Sequence, residues 1–147
     1  MSLEYAVMLR RRAEQFLSSA STNLELGNYD VTCVEAEIAA QLLLKSAIVA
    51  LGYEVPRTHN VRELIWFLAL NMPSKYGDLV TRIKNFVREF KRELMILEDC
   101  RRLGQYGGFL IDRDRAEVAV DVAGKVKELS SVVWRVIRGG GIRSRED

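Results

Sequence analysis

The sequence contains one histidine, His59, so any imidazole acting as a general base or metal ligand must be this side chain. It stands beside Asn60 at the start of an apolar-periodic segment, where a ring nitrogen can satisfy loop backbone groups, and a structural role is expected. Cys33 and Cys100 are far apart, with no C-x-x-C partner and no neighbouring histidine. That pattern argues for reduced, partly buried thiols and against a zinc site. No H-E-x-x-H, serine elbow, P-loop or dinucleotide-binding glycine motif occurs, so the residues point to no metal, no cofactor and no familiar catalytic set.

The cations are more informative. Of 22 basic residues sixteen are arginines, whose planar fork suits carboxylates and phosphates. On the long helix expected over residues 74 to 103, Lys84, Arg88, Lys91 and Arg102 share a narrow arc that could track a phosphate backbone. Glu89, Glu93 and Asp99 interleave with them, as on an ordinary solvated face. Arg101 differs: the same arithmetic places it with Ile83, Phe90 and Leu94 on the apolar side. A buried arginine needs a partner, for which Glu98 and Asp99 are the nearby candidates, or it lines a cleft.

The elements that must position these groups all read as helices. Tyr5, Met8, Leu9, Ala13, Phe16, Leu17, Ala20 and Leu24 form one stripe at spacings of three and four. Gly27-Asn28 stops that helix, and Asp30 is placed to cap the next. The segment from Val31 to Leu51 is apolar on more than one face and therefore central, with alanines that permit close approach. A short helix starts at Asn60, with Glu63 at capping-box spacing. Pro73-Ser74 separate it from a long helix over 74–103, and glycines at 104, 107 and 108 interrupt the chain. A last helix begins near Asp112 to Asp114, with Glu117 spaced for a capping box on Asp114.

The expectation is all-α: an up-and-down bundle of four long helices plus one short helix, in a single domain over 1–138 with a flexible polar tail over 139–147. Apolar residues make up 48% and charged residues 29% of the chain, which suits a globular protein. No run of 18 apolar residues and no signal-peptide core is present, so no membrane association and a cytoplasmic location are expected. The net charge of +2 is too small to argue for nucleic acid from bulk electrostatics.

In order and spacing these segments resemble the HEPN family of small helical bundles common in archaea and bacteria. Leu26-Gly27-Asn28-Tyr29-Asp30 is similar to its G-x-Y-D turn, and Glu35 to Ala47 to its A-E-x-A-x-x-x-x-L-K-A central helix. Leu51-Gly52 and His59 to Leu64 look like its glycine loop and H-x-L-x-x-L short helix. The resemblance implies a homodimer formed through the late helices. It also implies a minimal nucleotidyltransferase as partner in a toxin–antitoxin-like pair. Active members are metal-independent ribonucleases with an arginine followed, after four to six residues, by a histidine. Arg101 matches the arginine, but the corresponding positions hold Tyr106, Gly107 and Gly108; counted from Arg102 they hold Gly107, Gly108 and Phe109. A tyrosine, with an ordinary pKa of about 10, cannot replace imidazole near neutral pH. The expected function is therefore a non-catalytic nucleotide- or RNA-binding or protein-interaction module, with Arg101, Arg102, Tyr106, Lys84, Arg88 and Lys91 as its binding residues. The alternatives are a ribonuclease with a degenerate Arg-x4-Tyr motif, or a purely structural bundle.

Overall fold

The computed structural model describes residues 2–139. Within them the chain forms six α-helices: α1 (Leu3–Glu25), α2 (Tyr29–Ala50), α3 (Val61–Asn71), α4 (Gly77–Glu89), α5 (Lys91–Tyr106) and α6 (Arg113–Gly139). A 3-10 turn over Ser74–Tyr76 leads into α4. The all-helical expectation holds; the helix count does not, because the long segment over 74–103 is two helices.

The break is at Phe90, whose φ of −105° and ψ of 21° lie outside the helical basin. Its N–H still reaches Phe86 O and its carbonyl still accepts from Leu94 N, so the chain bends there without opening a loop. The two sides of the bend pack on different neighbours: helix α4 lies against α3, whereas α5 lies chiefly against α2 and α6.

Helix α2 is the hub, in contact with α1, α3, α5 and α6, as its all-round apolar character requires. Leu43, Leu44 and Ile48 of this helix are fully enclosed, together with Leu64, Leu94, Leu97 and Val133 from its neighbours and Ile83 of α4. Met8, assigned above to the buried stripe of α1, is instead exposed. Both ends flanking the hub close in the same way. Gly27 (φ 80°) and Gly52 (φ 100°) take the left-handed conformation that only glycine adopts without strain. The N–H groups of Asn28 and Tyr53 then return to Asn23 O and Ile48 O, which is the Schellman closure.

Three capping details depart from expectation. Asn28, not Asp30, occupies the N-cap of α2, and Asp30 Oδ1 instead accepts from the Ile111 N–H across the bundle at 3.0 Å. At α3 half of the predicted box forms: Asn60 Oδ1 caps Glu63 N at 2.9 Å, while the Glu63 carboxylate accepts from the Thr58 hydroxyl. At α6 the capping oxygen comes from Asp112, which accepts from Arg115 N at 2.9 Å.

Helix α5 sits unusually close to α2. A Cβ built on Gly104 would lie 2.5 Å from Val34 Cγ2 and 2.8 Å from the Asp30 carbonyl oxygen, which is backbone and cannot swing away. Cys33 and Cys100 meet across this contact in a disulfide with Cα atoms 5.0 Å apart, which corrects the expectation of reduced thiols. Sequence separation concealed the pair; the packing of α5 on α2 creates it. Gly104→Ala is expected to lower stability by about 2 kcal/mol through overpacking, although alanine is the better helix former. A urea titration in which the variant matches or exceeds the parent would contradict the close approach.

Candidate functional site

Helix α2 carries a polar stripe inside its apolar surface. Glu37, Gln41 and Lys45 fall one turn apart on a single face and are 3%, 5% and 8% exposed. Buried polar groups persist only when partnered, and these partner one another. Gln41 Nε2 donates to Glu37 Oε1, Lys45 Nζ approaches Gln41 Oε1 at 3.5 Å, and Lys45 Nζ lies 3.1 Å from His59 Nδ1. With the lysine as donor, His59 Nδ1 is the acceptor in this contact. Thus the 52–60 connection folds back onto α2 and sets His59 at the end of the stripe.

Glu37 is the unusual member. Its Oε2 is buried and has no hydrogen-bond partner; the Arg101 Nε of α5 is 3.6 Å away, near enough for attraction but too far for a hydrogen bond. Burial pushes the carboxyl pKa up from 4.5 to about 7. The Gln41 hydrogen bond and the charges of Arg101 and Lys45 pull it back only in part, and the Glu98 charge raises it further. Lys45 is lowered by its own burial, with Glu37 opposing and Arg101 reinforcing that shift.

Opposite this stripe, Glu98 of α5 clasps the start of α3. Its carboxylate accepts from Arg62 Nε at 2.8 and 3.1 Å, from Asn60 Nδ2 at 3.0 Å and from the Arg62 N–H at 3.2 Å. Arg62 is raised above its ordinary value, chiefly by that hydrogen bond. The clasp fixes the angle between α3 and α5 and with it the position of the residue preceding Asn60, which is His59.

Between stripe and clasp an open cleft of about 430 Å³ forms at the C-terminal end of α5. Glu37 and Gln41 line one side, His59, Asn60 and Glu98 another, and Arg101, Arg102, Gln105 and Tyr106 the remainder. Tyr106 is the last residue of α5 and is 82% exposed. The arrangement can grip an anion with two guanidinium groups, offer an aromatic face, and hold a proton at Glu37 near neutral pH.

Arg101 therefore reaches toward α2, as its meridian with Leu94 implied, but its side chain is 46% exposed and its partner is Glu37. Neither expected neighbour pairs with it: Glu98 holds Arg62, and Asp99 lies 3.9 Å from Arg102. The row of Lys84, Arg88, Lys91 and Arg102 does not line a single cleft, and the bend at Phe90 falls within it. Arg88 and Lys91 border a separate cleft with Arg62 and Trp66, Arg102 borders the cleft of Arg101, and Lys84 borders neither. His59 shares the cleft of Arg101, which its place in the sequence does not suggest. Sequence reasoning misses Glu37, Gln41 and Lys45, although three polar residues at four-residue spacing in an otherwise apolar helix are a visible signal. Among the described residues no cluster of three or more His, Cys, Asp or Glu could hold a metal ion, and no helix is long and apolar enough to cross a membrane.

Comparison with known proteins agrees with this architecture. The crystal structure of TT1696 from Thermus thermophilus superposes with a TM-score of 0.64 at 23% identity, over 87% of this chain and 97% of that one. At that identity the likeness speaks for the fold alone. No curated protein matches the chain. The family model of the HEPN domain matches residues 6–133, from the first turn of α1 to the last turns of α6. The chain belongs to the HEPN domain family.

Proposed function

We propose that the protein is a non-catalytic HEPN module that binds a nucleotide or an RNA end in the Arg101 cleft. It acts as a single domain over residues 1–138, as a homodimer, and as partner of a minimal nucleotidyltransferase in a toxin–antitoxin-like pair. One observation carries the reading: Arg101, Arg102 and the exposed ring of Tyr106 face one open cleft whose buried wall is the incompletely bonded carboxylate of Glu37. Two guanidinium groups can take a phosphate in bidentate fashion, and an exposed tyrosine suits stacking on a base. Uncovered apolar side chains in the segment after α5 support the homodimer. Phe109 and Leu110 are 59% and 84% exposed, and Asp30 holds the adjoining Ile111 against the start of α2, where Val31 is also exposed. A monomer in sedimentation at micromolar concentration would remove the dimer from the proposal.

The test is binding of labelled RNA and of ATP at two salt concentrations. Arg101→Ala is expected to weaken binding about tenfold or more, the range of one charge-assisted contact. Unchanged binding in the variant would refute the cleft, and no binding by the parent would leave a protein-interaction or structural bundle.

A ribonuclease reading has one specific observation in its favour: His59 and a carboxyl titrating at about 7 both line the cleft of Arg101. Cleavage of RNA in the presence of chelator, abolished by Arg101→Ala, would favour it; cleavage that survives the substitution would indicate a contaminant.

A further inference from the structure

A second basic surface lies elsewhere on the bundle. It is a groove of about 780 Å³ between α1, α4 and α6 that shares no residue with the Arg101 cleft. Five cations line it: Arg10 from α1, Arg82 from α4, and Lys127, Arg135 and Arg138 from α6, with Glu128 as the one acid. Among the described residues none of Arg82, Lys127, Arg135 and Arg138 has a carboxylate within 4 Å, although Arg82 also borders a neighbouring pocket with Asp78, Glu89 and Glu128. Such an imbalance is notable on a chain whose net charge is only +2.

The groove is also organised. Lys127, Ser131, Arg135 and Arg138 recur at spacings of four, four and three, hence along one face of α6, and span roughly 16 Å. Trp134 is almost fully buried, with its indole N–H directed at Ser46 Oγ at 3.4 Å. Its ring supports the Arg10 guanidinium, which stacks 5.2 Å from the centroid and lies 3.6 Å from Glu14. Gly124 leaves the floor open, since a Cβ there would meet nothing within 4 Å.

We propose that this groove binds the phosphate backbone of nucleic acid. A row of cations that long exceeds what one terminal triphosphate needs and suits successive phosphates. Because Trp134 is buried beneath Arg10, no aromatic face is offered there for base stacking, so contact is through phosphate and insensitive to base sequence. The site stands independently of the Arg101 cleft.

The experiment measures binding of a fluorescent twelve-nucleotide uridine oligomer by anisotropy across a salt series, using the full chain. For single strands the log–log salt slope is about −0.7 per phosphate neutralised, so a slope of roughly −3 is expected for the groove. Lys127→Ala with Arg135→Ala should weaken binding tenfold or more at low salt and reduce the slope by about 1.4, with thermal unfolding unchanged. Gly124→Leu, which occupies the floor without altering charge, should weaken binding severalfold. Arg101→Ala should leave the groove component in place. The proposal is overturned if the groove variants bind like the parent, if the parent shows no salt-dependent binding, or if Arg101→Ala alone abolishes it. Displacement of the oligomer by ATP as effective as by unlabelled oligomer at equal phosphate concentration would overturn the extended-backbone assignment.

Discussion

Glu37→Gln is expected to make the protein more stable above neutral pH, by about 2–3 kcal/mol at pH 8.5, while changing little near pH 4.5. Glu37 titrates at about 7 in the fold against an ordinary 4.5, because burial disfavours its charged form more than Arg101 and Lys45 favour it. A carboxyl raised in this way binds its proton more tightly folded than unfolded. The resulting stability is fully present below 4.5 and is lost as pH rises to about 7, amounting to about 3 kcal/mol. Glutamine has the shape of the protonated acid and no charge to bury, so the variant should lack this pH dependence. Thermal unfolding at pH 5 and pH 8.5 measures it; with about 2–4 °C per kcal/mol for a chain of this size, a gain of several degrees is expected at the higher pH only. No gain there would mean that Arg101 and Lys45 compensate the buried anion fully. The same substitution frees Arg101 from its carboxylate, so anion binding in the cleft should strengthen and depend less on pH.

Glu98→Ala is expected to cost about 2–4 kcal/mol. The Glu98 side chain is 11% exposed and accepts from Asn60, from the Arg62 side chain and from the Arg62 backbone. Deleting it leaves three donors without their acceptor, and removing one member of an enclosed pair costs more than the pair contributes. Arg62 is 29% exposed and can turn to water, which keeps the loss below the range for a fully buried pair. Glu98→Gln retains an acceptor and should lose about half as much. Hydrogen exchange should localise the effect to the 52–60 connection and the first turn of α3. A loss under about 0.5 kcal/mol, or exchange unchanged there, would show that the clasp does not hold the loop that carries His59.

The helical period announced the class of fold, and the all-round apolar character of the segment after Asp30 announced a central helix. Gly27 and Gly52 were legible as stops because a left-handed residue is what closes a helix end. Arg101 was legible as an arginine turned toward the interior. Its partner was not, because Glu37 is 64 residues away in sequence. The break at Phe90 was hidden for a different reason: Phe86, Phe90 and Leu94 continue the apolar spacing across it, and only in the fold do its two sides meet different neighbours, α3 on one and α2 with α6 on the other.

Local order alone determined the stretches of amphipathic or buried helix, their glycine stops, and the scarcity of groups able to do proton chemistry. Those features depend on residue type and on neighbours three or four residues apart. The disulfide, the cleft that unites His59 with Arg101, and the groove of Arg10, Arg82 and Arg135 were decided only by tertiary packing. Each joins side chains from separate elements, and a net charge of +2 cannot reveal that five cations share one groove with a single acid, Glu128. Charge is a sum over the sequence; a field is a sum over positions in space.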